Sequence, residues 1–150
     1  MNRARWWLRA GLTVLTLLHL TLAIWILFAP RSFYALQAVN LTMPYNQHLL
    51  LDFGAMNLAV AVMLATAART MRIHVVRTGL GATLTFWAAH FLIHLRFLDD
   101  MAPENDALLM TGLAATIVLP LILLMLTRRS EPTAADPASH PGDAVGGRQD

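Results

Sequence analysis

Four apolar runs, each long enough to cross a bilayer as a helix, constrain the fold of this chain more than any other feature. They cover about residues 8–29, 48–68, 75–98 and 107–127. A transmembrane helix needs roughly 20 mainly apolar residues. Because 57% of the residues are apolar and only 13% are charged, the chain lacks the polar side chains that a soluble globule of this size requires. The sequence therefore predicts an all-α membrane protein, an up-and-down bundle of four transmembrane helices.

Residues 1–127 are predicted to form this transmembrane domain, and residues 128–150 a disordered cytoplasmic tail. The tail is rich in Pro, Ala, Gly and Asp and has almost no large apolar side chain, a composition typical of disorder. The first apolar run is longer than the apolar centre of a secretory signal peptide. We therefore expect it to remain in the protein as the first span.

The positions of the arginines predict how the bundle is oriented. If the N-terminus is cytoplasmic, only two arginines lie near the outer ends of the spans, Arg31 and Arg96. The arginines near the cytoplasmic ends are then Arg3, Arg5, Arg9, Arg69, Arg72, Arg77, Arg128 and Arg129. This bias follows the positive-inside rule and predicts a multi-pass protein of the cytoplasmic membrane with both termini in the cytoplasm.

The same arginine positions bear on the partners of the protein. The arginines flank apolar runs and do not form a continuous basic face with interleaved aromatics, so we expect no nucleic-acid binding. The expected environment is the lipid bilayer. The sequence leaves open whether the chain also binds a membrane-protein partner or forms a homo-oligomer.

Two pairs of ionisable residues lie inside the apolar runs, His48 with Asp52 and His90 with His94. Each pair is four residues apart, so its members share one helix face. Ionisable groups within a bilayer are costly and are functional-site hypotheses by default. In antiparallel spans both pairs lie near the outer surface, which predicts a wet polar pocket. The first loop contributes candidate capping residues for this pocket, Tyr34, Tyr45 and Asn46.

Small and polar residues at helical spacing predict the faces along which the spans pack, because burying large apolar side chains gains little in lipid. Asn57 falls on the side of the second run opposite Asp52, and we expect it to bond a neighbouring helix rather than a ligand. The predicted packing face of the second run carries His48, Asp52, Ala55, Ala59 and Met63. That of the fourth run carries Gly112, Ala115 and Thr116.

Several roles are open for this predicted histidine cluster. One hydrogen bond between Asp52 and a histidine would join the second and third spans without any chemistry. A pairing of His with Asp also suits proton transfer near neutral pH, as in an enzyme acting at the outer leaflet. The absence of cysteine excludes thiolate metal sites and cysteine nucleophiles. No catalytic residue can be assigned from the sequence.

Cofactor binding is a further alternative for the same residues. Three imidazoles and one carboxylate form a suitable ligand set for zinc or a similar divalent metal. The residues of this candidate metal site are His48, Asp52, His90 and His94. Histidines on separate helices can also ligate haem iron axially, and His19 and His90 lie at similar predicted depths on different spans. The haem would make the protein a redox component of the membrane.

Two sequence segments resemble a known group of proteins. Residues 44–55, PYNQHLLLDFGA, and residues 90–94, HFLIH, are similar to segments of small four-span integral membrane proteins of actinobacteria that have no assigned activity. The resemblance implies a four-helix membrane protein and brings no known function. Phe97 stands where members of that group carry a further histidine. The size and layout of the chain also resemble those of DoxX-like four-span proteins.

Overall fold

The computed structural model describes residues 3–36, 39, 44–97 and 103–128, with only the main chain described at 103–106 and 108. The described part is all-α and contains no strand. The described residues form five helices: α1 (Arg3–Phe28), α2 (Pro30–Tyr34), α3 (Gln47–Thr70), α4 (Ile73–Arg96) and α5 (Pro103–Arg128). Each of the four predicted apolar runs coincides with a long helix to within a few residues. The predicted disordered tail lies outside the described residues.

Local sequence explains where the helices begin and end. Pro30 occupies the first turn of α2, a position where its missing N–H is not needed. The side chain of Asn46 caps α3 by accepting a hydrogen bond from the Leu49 N–H at 3.2 Å. Met71 ends α3 in the left-handed conformation, with φ of 49°. Only two residues, Met71 and Arg72, separate α3 from α4. Such a short connection makes α3 and α4 antiparallel neighbours.

The Asn46 cap leads to the first prediction. Replacing Asn46 with alanine should lower the free energy of unfolding by about 1 kcal/mol, because the Leu49 N–H loses its acceptor. Asn46→Asp keeps an acceptor oxygen and should retain the stability of the wild type. The midpoint of SDS-induced unfolding, followed by far-UV circular dichroism, measures the difference. An equal loss in both variants would contradict the capping role.

The helices pack through an aliphatic core and a separate polar and aromatic region. The most extensive contact joins α1 to α3, followed by α4 with α5 and α3 with α4. Arg77 of α4 also donates a hydrogen bond to the Thr127 hydroxyl of α5 at 3.3 Å. The aliphatic core consists of Leu8, Leu12, Leu15, Val60, Leu64, Ala67, Val76, Leu80 and Leu123.

Within the described residues, three helices are long and apolar enough to cross a membrane: α1, α3 and residues Leu109–Arg128 of α5. Helix α4 is as long as α3, 24 residues, but its three histidines and two arginines make it less apolar. Large apolar side chains are exposed along the helices, including Val62 at 61% and Leu92 at 64%. Exposed apolar surface of this kind suits contact with lipid. The fold is therefore compatible with an integral membrane protein.

The predicted packing face of α3 is wrong at most of its positions. Asp52, Ala55 and Ala59 are exposed, whereas Gly54 and Asn57 are buried. The buried face of α3 comprises Gly54, Asn57, Val60, Ala61, Leu64 and Ala67. The predicted face of α5 is also wrong, because Gly112 and Ala115 are exposed, while the buried hydrophobic side chains are those of Leu113 and Leu123.

Candidate functional site

His48 and Asp52 form an ion pair on the surface of α3. The His48 Nδ1 lies 2.9 Å from the Asp52 Oδ2, and the two side chains are 87% and 66% exposed. Both residues lie within the first two turns of α3, so neither is held deep in the apolar part of the helix. An exposed pair of this kind contributes little to stability. The structure therefore joins these residues to each other but not to a neighbouring helix.

His90 and His94 form the second pair, on α4, in a more enclosed setting. Their Nε2 atoms are 3.2 Å apart. The His90 ring stacks against Phe53 and Phe86, with centroids 5.5 and 5.6 Å away and interplanar angles of 21° and 20°. The Nδ1 of His94 is buried and has no hydrogen-bond partner. The α4 histidine pair is thus oriented by aromatic packing and only partly satisfied by hydrogen bonding.

The two pairs do not combine into the predicted pocket. No ion pair or hydrogen bond joins them within the part of the chain that the structure describes. In that part, no group of three or more His, Cys, Asp or Glu side chains is arranged to hold a metal ion. The physical reason lies on α3, where Phe53 packs against His90 while the adjacent Asp52 points outward. The four predicted metal ligands are therefore split between two places.

A buried hydrogen-bonded triad, consisting of His19, Asn57 and Trp87, joins α1, α3 and α4. His19 and Asn57 are fully buried, and Trp87 is 4% exposed. The His19 Nδ1 lies 2.9 Å from the Asn57 Oδ1. The Trp87 indole N–H donates to the His19 Nε2 at 3.2 Å. A single histidine thus links three long helices.

Hydrogen-bond chemistry fixes the protonation state of the triad. The indole nitrogen is a donor only, so the Nε2 of His19 must accept and the ring proton must lie on Nδ1. This Nδ1–H donates to the Asn57 Oδ1, while the Asn57 Nδ2 donates to the Phe53 carbonyl at 2.8 Å. His19 is therefore neutral, and both of its ring nitrogens are engaged. Ligation of haem iron by His19, the predicted alternative, would require one of these bonds to break.

The predicted capping residues meet in a cavity between the end of α2 and the start of α3. This cavity, which we call the Tyr45 cavity, has a volume of about 630 Å³. Its described lining consists of Tyr34, Val39, Pro44, Tyr45, Asn46, Gln47, Leu49 and Leu50. The Tyr34 and Tyr45 rings meet edge to face at 5.3 Å. Among these described lining residues there is no histidine and no aspartate, so the cavity is separate from the predicted four-residue cluster.

Two features of Tyr45 bear on which ligand the cavity could bind. The Tyr45 hydroxyl is buried and has no hydrogen-bond partner, although buried tyrosine hydroxyls usually have one. The Arg31 guanidinium lies over the Tyr45 ring, 5.5 Å from its centroid. A free hydroxyl and a cation therefore lie close to an apolar surface formed by Val39, Pro44 and neighbouring leucines.

Comparison with known proteins adds no family assignment. No family model matches the chain, and neither a curated protein nor a solved structure matches it. The resemblance to small four-span membrane proteins of actinobacteria stays a prediction.

Proposed function

We propose that the protein is a multi-pass protein of the cytoplasmic membrane that binds an anionic amphiphile in the Tyr45 cavity. In this arrangement α1, α3, α4 and α5 all span the bilayer as an up-and-down bundle, with both termini in the cytoplasm. The three strongly apolar helices and the two-residue connection between α3 and α4 support this topology. The arginine distribution supports the orientation.

The orphan hydroxyl of Tyr45 is the observation that carries the proposed function. A buried hydroxyl without a partner is unfavourable by about 1–3 kcal/mol, and a ligand oxygen that reached the Tyr45 hydroxyl through a shift of the side chains covering it would remove that penalty. A volume of about 630 Å³ falls within the range of ordinary ligand pockets, roughly 300–1,000 Å³. The cavity is thus large enough for part of a lipid-sized molecule.

The lining indicates the chemical class of the ligand. Arg31 is not one of the described lining residues, but its guanidinium lies over the ring of Tyr45, which is, and a positive charge at this place suits a phosphate or carboxylate group. Val39, Leu49 and Leu50 can cover an acyl or other apolar chain. In the proposed orientation the cavity lies at the outer membrane interface, where tyrosine rings are commonly found. An anionic lipid or a fatty acid matches all of these properties.

The structure also favours a division of roles among the polar residues. The buried triad of His19, Asn57 and Trp87 joins the helices, which is the role the sequence suggested for Asp52 and a histidine. His48 and Asp52 pair with each other on the surface of α3. Gln47 and Leu49, on either side of His48, line the cavity. We therefore place the ligand site at this end of α3.

Native mass spectrometry of the detergent-purified protein tests the proposal with three probes: phosphatidylglycerol, phosphatidylcholine and soluble glycerol phosphate. We expect phosphatidylglycerol to bind most tightly, because both the anionic group and the chains find contacts. Arg31→Gln should weaken its binding by about 10- to 100-fold, since a hydrogen bond to a charged group contributes about 1.5–3 kcal/mol. Tyr45→Phe should also weaken binding, because it removes the hydroxyl that we expect to bond the ligand and leaves the ring in place.

Arg5→Gln is the matched control, because it removes an exposed arginine of α1 that lies far along the helix from α2. Its affinity for phosphatidylglycerol should equal that of the wild type. Tight binding of glycerol phosphate alone would identify a free anion as the ligand source. Equal affinities of the wild type, Arg31→Gln and Tyr45→Phe for every probe would contradict the proposed function.

A further inference from the structure

The α4 histidine pair does not line the Tyr45 cavity. Its geometry suggests a binding role of its own. His90 and His94 direct their Nε2 atoms toward each other, 3.2 Å apart. Two nitrogen ligands 2.0–2.1 Å from one tetrahedral zinc ion are separated by about 3.3–3.4 Å. An ion could therefore bind both nitrogens after a shift of only about 0.1–0.2 Å.

A hydrogen bond between the two rings does not fully satisfy the pair. A neutral imidazole has one donor nitrogen and one acceptor nitrogen. Whichever ring donates, the second nitrogen of His94, its Nδ1, remains buried and without a partner. An ion bound to the two Nε2 atoms would leave this Nδ1 as it is, so the unpaired nitrogen is not an argument for or against an ion. The inference rests on the separation of the two Nε2 atoms and on the aromatic packing around His90.

We infer that His90 and His94 chelate one divalent transition-metal ion of the borderline class, such as Cu²⁺, Ni²⁺ or Zn²⁺. Imidazole nitrogen suits these metals, whereas Mg²⁺ and Ca²⁺ require oxygen ligands. Histidines at positions i and i+4 of a helix reach the same ion from one face. The inference rests on this geometry and does not depend on the ligand proposed for the Tyr45 cavity.

Aromatic side chains around His90 hold its ring in one orientation. Phe53 and Phe86 stack on its ring at angles near parallel, and Trp87 meets it edge-on at 5.6 Å. A ring held in place by packing loses little rotational freedom when it binds an ion. Since no third His, Cys, Asp or Glu completes the group in the described part of the chain, the remaining coordination positions stay open for water or an external ligand.

Isothermal titration of the full-length protein in detergent, purified without a histidine tag, tests this inference with Ni²⁺. We expect one ion per chain. His90→Ala and His94→Ala should each weaken binding by at least about 100-fold, since loss of even a hydrogen-bond partner of a ligand weakens metal binding about 10–100-fold. Mg²⁺ should not bind at the same concentrations.

His48→Ala and His74→Ala are the matched controls, because each removes an exposed histidine that lies outside the pair. Both should bind Ni²⁺ as the wild type does. Electron paramagnetic resonance of the Cu²⁺-loaded wild type gives a test that needs no variant to fold, and it should show coupling to two nitrogen ligands. Unchanged binding in His90→Ala and His94→Ala, or a Cu²⁺ spectrum without nitrogen coupling, would overturn the inference.

Discussion

Replacement of His19 by alanine is expected to lower the free energy of unfolding by about 2–4 kcal/mol. The change removes a fully buried side chain and leaves the Asn57 Oδ1 and the Trp87 indole N–H without partners. Each unsatisfied buried group is unfavourable by about 1–3 kcal/mol, and the cavity adds to this loss. SDS-induced unfolding of the purified protein, followed by far-UV circular dichroism, measures the effect. His74→Ala, at an exposed position of α4, should change the stability by less than about 0.5 kcal/mol.

A double-mutant cycle separates the hydrogen bond from the general loss of packing. The cycle compares His19→Leu, Asn57→Leu and the variant carrying both changes. His19→Leu leaves the Asn57 Oδ1 and the Trp87 indole N–H unpaired, and Asn57→Leu leaves the His19 Nδ1 unpaired, whereas the double variant leaves only the Trp87 N–H. We therefore expect a coupling energy of about 0.5–2 kcal/mol. Strictly additive effects, or a His19→Ala variant as stable as His74→Ala, would show that the triad does not join the helices.

The long helices could be predicted from the sequence because their signals are local and redundant. Apolar runs of about 20 residues have few alternatives to a helix, and Pro30 and Asn46 mark boundaries by their own chemistry. The five-residue helix α2 was not predicted within the connector between the first two runs. A single turn contributes little periodicity, so only the proline at its start signals it.

The buried face of α3 could not be predicted from the same information. A membrane helix is apolar on every side, so periodicity does not distinguish the side that faces protein from the side that faces lipid. The predicted face is the one with small and polar residues at helical spacing, Asp52 among them. A carboxylate in lipid needs a partner, and His48 satisfies that need on the surface, close to the helix start. The predicted position of Asp52 near the outer surface is compatible with this pairing, which removes the need for a partner on another helix.

The predicted bond of Asn57 to a neighbouring helix is confirmed. Asn57 lies ten residues after the start of α3, about 15 Å along the helix axis, where water does not reach a membrane span. An amide at that depth must find a partner on another helix, whereas Asp52 need not. The partner, His19, is predicted from the sequence as a candidate haem ligand and not as the hydrogen-bond donor to Asn57. That pairing depends on the α1–α3 register, which no local pattern encodes.

Replacement of Gly54 by leucine is expected to separate α1 from α3 and to lower the free energy of unfolding by about 1–3 kcal/mol. A Cβ atom added at Gly54 would lie 3.0 Å from side-chain carbons of both Ile26 and Leu27. Leucine adds three more carbons at a place where the two helices already touch. Because α1 makes its most extensive contact with α3, the variant should also weaken the nearby bond between His19 and Asn57.

Gly81→Leu is the matched control for this change, since a Cβ atom at Gly81 would meet no heavy atom within 4 Å. Both substitutions place leucine in a helix interior, where it is favoured over glycine by up to about 1 kcal/mol. Gly81→Leu should therefore be as stable as the wild type or more stable, and the difference between the two variants reports the α1–α3 contact alone. Equal unfolding midpoints in SDS for both variants would show that the close approach at Gly54 does not hold the helices together.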